Sequence, residues 1–129
     1  MTSKALTLAL AAVAATAVAA RPAQAQDMKD MKATTISAQV VDLACYVNFG
    51  LKGEGHRECA QVCADAGLAL GFLGSDGNIY IAAEKGMPGP ANTPRLRPHA
   101  EHTVEVTGMV NERSGTRSIT IESMKMTKK

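Results

Sequence analysis

Four side chains of metal-ligand type lie close together in this sequence: Cys45, His56, Cys59 and Cys63. Cys59 and Cys63 are four positions apart, so on a helix both thiols project from one face, one turn apart. His56 precedes Cys59 by three positions and lies in line with the same face. Soft thiolates favour Cu(I) and Zn²⁺; four such ligands suit tetrahedral zinc, and two or three suit Cu(I). We therefore predict that these four side chains bind a copper or zinc ion.

The same cysteines allow two other interpretations. A disulfide from Cys45 to Cys59 or Cys63 would close a loop of about 15–19 residues and stabilise the fold by about 3 kcal/mol. It would leave one thiol over, because the chain has three cysteines. A bridge between Cys59 and Cys63 is disfavoured, since their side-chain vectors do not meet on a regular helix. The remaining alternative is a thiol redox protein, which requires that Cys59 alkylates quickly at neutral pH.

The N-terminal segment has the three zones of a secretory signal peptide. Lys4 is the charge of a short basic zone, residues 5–20 are uncharged and mostly apolar, and Ala23-Gln24-Ala25 is a small-x-small cleavage site. The apolar run is shorter than the roughly 20 residues that cross a bilayer. We predict that residues 1–25 are a cleaved signal peptide and that the protein is periplasmic or secreted, with no membrane attachment after cleavage.

Composition excludes some classes of function. Loss of Lys4 and Arg21 with the signal peptide lowers the 14 basic residues of the chain to 12, equal to its 12 acidic residues. With two Tyr, two Phe and no Trp, the chain lacks the charge and the stacking surface that nucleic-acid binding needs. The sequence contains no catalytic pattern. We predict a binding protein rather than an enzyme, with a metal ion as its partner and another periplasmic protein as a further candidate.

Alternating apolar residues predict a mainly β fold with five strands. Residues 26–33 are polar and are predicted as a flexible lead, and residues 34–129 as one domain. Asp76 and Gly77 lie between two apolar runs and predict a hairpin turn. Four prolines make residues 84–98 mainly loop. The predicted strands are residues 34–41, 68–73, 78–83, 103–110 and 118–126, an order that fits a small OB-like barrel best.

One short helix is predicted after strand 1, over residues 57–66, because this stretch lacks Gly and Pro and is followed by Gly67. Its predicted buried face consists of Cys59, Val62, Cys63 and Ala66. The stretch before it is predicted as a mobile loop because it contains three glycines, Gly50, Gly53 and Gly55. Asp42, at the apolar end of strand 1, is interpreted as a turn or cap residue.

Two longer patterns extend over most of the predicted mature chain: Val40-Val41-Asp42-x-x-Cys45-Tyr46, and His56-x-x-Cys59-Ala60-x-x-Cys63. With the Asp-Gly hairpin they resemble a set of small exported bacterial proteins. The closing pattern is similar to the last hairpin of many small bacterial OB-like domains: Val104-x-Val106-x-Gly108-x-Val110, a turn, then Ile119-x-Ile121. The resemblance implies the OB-like fold and export, and it implies no particular activity.

Overall fold

The computed structural model describes residues 32–127. The predicted signal peptide and residues 26–31 of the predicted lead lie outside the described residues. The elements run in the order β1 (Thr34–Asp42), α1 (Leu43–Phe49), α2 (Arg57–Asp65), β2 (Leu70–Gly74), β3 (Ile79–Ala83), α3 (Thr93–Leu96), β4 (Thr103–Arg113) and β5 (Thr116–Met126), with short 3-10 turns at Glu54–His56 and Arg97–His99.

The five strands close into a barrel in the order β1-β2-β3-β5-β4. Strands β3 and β5 are parallel, and the other neighbouring pairs are antiparallel. The first part of β1 pairs with β4 and its last part with β2, so β1 closes the barrel. The predicted fold is confirmed: a mainly β, five-stranded OB-like barrel with a short helix after strand 1.

The barrel interior is filled by the apolar residues whose alternation predicted the strands. Val104 and Val106 of β4 and Ile119 of β5 are fully buried, and their intervening neighbours on β4 face outward. Phe72 and Leu96 are the largest fully buried side chains. Each such residue removed from water contributes about 1.5–3 kcal/mol, which holds the barrel rigid beneath the helices that it carries.

Helix α3 lies in the stretch that the sequence predicted as mainly loop. Pro94 stands in its first turn, where a missing N–H breaks no helical hydrogen bond. The short helix places Leu96 in the core, fully buried, in contact with β2. The prolines therefore predicted irregular chain, whereas the structure has a single helical turn that covers the barrel at this place.

Helix α1 lies between predicted strand 1 and the predicted glycine-containing loop, where the sequence predicted no helix. The Asp42 carboxylate caps it, since Oδ1 accepts the Cys45 N–H at 2.9 Å. Gly50 ends it at φ 69°, a left-handed conformation that glycine adopts without steric cost. The helix has seven residues, none of them buried, so it has no apolar periodicity to predict it by.

Helix α2 confirms the predicted position but not the predicted buried face. Its buried residues are Ala60 and Ala64, whereas Val62 is 67% exposed. Small alanine side chains let the helix backbone lie close to the barrel. A larger side chain such as that of Val62 would keep the helix farther away. The helix is consequently rotated, so that Cys59 is exposed and Cys63 is half-buried. Both thiols therefore lie at the edge of the packed face rather than within it.

Candidate metal centre

The sulfur atoms of Cys45, Cys59 and Cys63 lie within 4.8 Å of one another. All three cysteines are free thiols, so the disulfide of the alternative interpretation is not formed. Cys45 belongs to α1 and the other two to α2, so the group joins the two helices that follow β1. Cys59 is exposed and the others are half-buried, which leaves the group open to solvent on one side.

Backbone hydrogen bonds hold both helices at this end of the barrel. The Leu43 N–H at the start of α1 donates to the Ala69 carbonyl at 3.1 Å. The Leu68 N–H donates to the Cys63 carbonyl at 3.0 Å. The chain segment that leads into β2 therefore contacts both helices and fixes Cys45 relative to Cys63.

The spacing of the sulfurs suits a metal ion. Zinc–sulfur bonds of about 2.3 Å place two tetrahedral sulfur ligands about 3.8 Å apart. The observed separations of up to 4.8 Å need a closure of about 1 Å or less to reach that value, which side-chain rotation supplies. The three thiols are thus arranged as ligands for a thiophilic ion.

A buried carboxylate lies against the thiols. Asp42 is fully buried, and its Oδ1 accepts the Cys45 N–H. The Asp42 carboxylate, as an acceptor for the protonated thiol, and then desolvation raise the pKa of Cys63 to about 12. Desolvation and then the negative charge of Asp42 raise the pKa of Cys45. In the absence of a cation, both thiols therefore stay protonated near neutral pH.

His56, the fourth predicted ligand, does not join the three thiols. Its Nδ1 lies 3.0 Å from Oε1 of Glu101, and because a carboxylate only accepts, Nδ1 carries the proton in this pair. Its Nε2 is buried without a hydrogen-bond partner among residues 32–127. The buried ring is thus held on the barrel side of α2, while the thiols face the other helix.

Glu101 organises the chain that precedes α2. Besides His56, its carboxylate accepts the Gly53 N–H at 2.7 Å and the Gln39 side-chain amide at 3.0 Å. Glu101 is 6% exposed and has φ 61°, a backbone conformation that costs a non-glycine residue of this kind about 1–3 kcal/mol. The three hydrogen bonds offset that cost and tie the loop between the helices to β1. We call Glu101, His56, Gly53 and Gln39 the Glu101 clamp.

Sequence reasoning found the three thiols and missed two things: the effect of Asp42 on the pKa of Cys63, and the hydrogen bonds of Glu101. Asp42 gave a signal, since an acidic residue ending an apolar strand required an explanation, and its cap role is confirmed. Glu101 gave none, because its partners are 45 to 62 positions away. Long-range contacts of this kind follow from the closure of the barrel.

No protein-family model, curated protein or solved structure matches this chain. Between residues 32 and 127 no helix is both long and apolar enough to cross a membrane. The proposed function therefore depends on the geometry of the three thiols.

Proposed function

We propose that this chain is a periplasmic metal-binding protein that holds copper or zinc through Cys45, Cys59 and Cys63. The observation that carries the proposal is the approach of all three sulfurs to within 4.8 Å. Such a set of soft ligands is typical of Zn²⁺ and Cu(I) sites. The periplasmic location is part of the proposal and is supported by the signal-peptide pattern of residues 1–25.

The three-cysteine count favours metal binding over the disulfide. A metal ion uses all three sulfurs, whereas a disulfide leaves one without a role. The exposed Cys59 also gives an ion a path from solvent to the ligands, which a metal site requires.

The raised pKa values of Cys45 and Cys63 argue against redox chemistry at these two thiols. Reactive redox cysteines have a lowered pKa, because the thiolate is the nucleophile. Here the pKa of Cys45 and that of Cys63 are both raised. A cation among the sulfurs would supply the positive charge that stabilises their thiolate forms.

The proposal is tested by metal analysis of the protein purified from the periplasm, together with alkylation of its free thiols before and after metal removal. We expect about one zinc or copper ion per chain and thiols that the metal protects from alkylation. Cys59→Ser should lose the ion. Val62→Ser is the matched control, because Val62 is an exposed residue of the same helix, and it should retain the ion.

Two outcomes would contradict the proposal. A wild-type protein that neither contains nor binds copper or zinc has no metal site. A single free thiol, with the other two cysteines bridged, would identify the chain as a disulfide-stabilised structural or partner-binding domain.

A further inference from the structure

The side chains that come together as metal ligands at the thiol group are three in number. They belong to Cys45, Cys59 and Cys63, and no histidine, aspartate or glutamate of residues 32–127 joins them. Zn²⁺ takes four ligands, and zinc sites with three protein ligands keep the fourth position for a water or another molecule. A zinc ion held by these sulfurs therefore has one position that the described residues do not fill.

The histidines of this chain are not placed to fill that position. The Nδ1 atom of His56 lies 3.0 Å from the carboxylate of Glu101, whose side chain is fully buried. Rotation of the ring toward the thiols would take one hydrogen-bond donor away from that buried charge, which is unfavourable. The other two histidines, His99 and His102, are half-buried. None of the three histidines of the chain is thus exposed for binding to the metal centre of a second copy.

The open side of the thiol group faces solvent at Cys59. This cysteine is exposed, whereas Cys45 and Cys63 are half-buried, so a donor from solution approaches beside Cys59. Phe49 follows Cys45 by four positions on α1, and Val62 follows Cys59 by three on α2, so each lies on the helix face next to a thiol. Phe49 is 75% exposed and Val62 67%. These apolar side chains favour the approach of an uncharged ring over that of a hydrated anion.

Charge also favours a neutral donor at the fourth position. Three thiolates and one Zn²⁺ sum to a single negative charge, and like charges repel more strongly in a partly buried site than in water. A carboxylate or a fourth thiolate would add a second negative charge. The imidazole of histidine adds none, because its pKa of about 6.5 leaves it mostly neutral at pH 7. Three cysteines with one histidine are also an established ligand set for zinc.

From this arrangement we infer that the fourth position of the zinc-loaded centre takes a histidine imidazole from another protein. The inference rests on the proposed metal-binding function and names the ligand that a partner supplies. The imidazole replaces a water molecule at the ion, and no covalent bond within either protein changes. An ion that two proteins hold jointly can pass from one to the other. The centre is therefore an exchange site rather than a closed structural site.

X-ray absorption at the zinc edge tests the inference on protein purified from the periplasm without a histidine tag, in a buffer that does not bind zinc. The zinc-loaded protein should show three sulfur ligands and one lighter atom, without the outer-shell scattering of an imidazole ring. Free imidazole is the probe for the partner's histidine. Its addition should introduce that scattering at about one ring per zinc and leave the three sulfurs in place.

The selectivity of the fourth position is measured on the Co²⁺-substituted protein, whose visible absorption reports changes in coordination. Imidazole should bind saturably. Acetate is the matched anionic probe, and we expect it to bind at least about tenfold more weakly, because it adds a negative charge to the centre.

The outcomes separate this inference from the proposed function. Four sulfur ligands, or an imidazole signal before any imidazole is added, would show that this chain or a second copy supplies the fourth donor. A spectrum that imidazole leaves unchanged, or equal binding of acetate and imidazole, would also overturn the inference and leave the metal-binding function in place. So would a protein that binds Cu(I) but not Zn²⁺, because two or three sulfurs satisfy Cu(I). A wild-type protein that binds neither ion overturns the proposed function itself.

Discussion

The Asp42 carboxylate, which raises the pKa of the Cys63 thiol, determines the chemistry of the site at the scale of single residues. A carboxylate beside a thiol stabilises the protonated sulfur and opposes the thiolate. The same carboxylate is an attractive partner for a cation. One buried residue thus lowers the reactivity of the thiols toward electrophiles and increases their suitability for a metal ion.

This arrangement predicts slow alkylation of Cys63 in metal-free, reduced protein. Because its pKa is raised to about 12, the thiolate fraction is small at neutral pH and increases as the pH rises toward that value. We expect the alkylation rate of Cys63 at pH 8 to be at least about tenfold below that of a free cysteine, whose pKa is about 8.5. The rate should increase with pH up to the highest pH at which the protein stays folded.

The measurement is the rate of iodoacetamide labelling at Cys63, followed by mass spectrometry of peptides. Asp42→Asn removes the charge and should accelerate the labelling, because an amide stabilises the protonated thiol less. Labelling of wild-type Cys63 as fast as free cysteine at pH 8 would show that the carboxylate does not hold the proton there.

At the scale of elements, the loop between α1 and α2 sets the position of one helix relative to the other. The Glu101 clamp fixes this loop to the barrel. The clamp makes three hydrogen bonds from one carboxylate. The sequence predicted α2 from its composition and Gly67, and missed α1 because a seven-residue helix without buried side chains has no periodic signal. The rotation of α2 toward Ala60 and Ala64 was also missed, since it depends on how closely the helix approaches the barrel.

The clamp predicts that Glu101→Ala destabilises the fold and weakens metal binding. The substitution leaves the Gly53 N–H, the His56 ring and the Gln39 amide without their acceptor, and each buried group left unpaired costs about 1–3 kcal/mol. The substitution does not remove the backbone strain of residue 101 at φ 61°, because alanine retains a Cβ and only glycine adopts this conformation freely. We expect a decrease of about 3 kcal/mol in the free energy of unfolding.

Urea denaturation measures the change, and zinc or copper affinity is measured on the same samples. Glu105→Ala is the control, because Glu105 is an exposed residue on β4, and it should change stability by less than about 0.5 kcal/mol. If Glu101→Ala were as stable as the control, the clamp would not hold the loop.

For the whole molecule, closure of the barrel brings distant parts of the chain to one end. β1 pairs with β4 along its first part, and this pairing places Glu101 beside the loop that precedes α2. Where β4 meets β5, the register shifts between Thr107 and Gly108. Gly108 lies so close to β5 that a Cβ there would collide with the Thr120 carbonyl.

Gly108→Ala should therefore destabilise the barrel by about 1–3 kcal/mol, the usual cost of forcing an extra methyl group into a packed site. The collision is with backbone, so side-chain rotation cannot relieve it. Gly86→Ala is the matched control, because no atom lies within 4 Å of a Cβ built at Gly86. Thermal unfolding of both variants tests the prediction, and equal midpoints would show that β4 and β5 separate easily at this point.

The sequence by itself determined the five strands, the hairpin turn at Asp76 and Gly77, and the three thiols, because alternation, turn residues and i, i+4 spacing are local properties of the chain. Only the tertiary structure decided that His56 lies with Glu101 and that Asp42 raises the pKa of Cys63. Those neighbours are set by barrel closure and by the rotation of α2, which depend on packing between residues far apart in the chain. Of the predicted cysteine and histidine cluster, the three thiols lie together and His56 lies with Glu101.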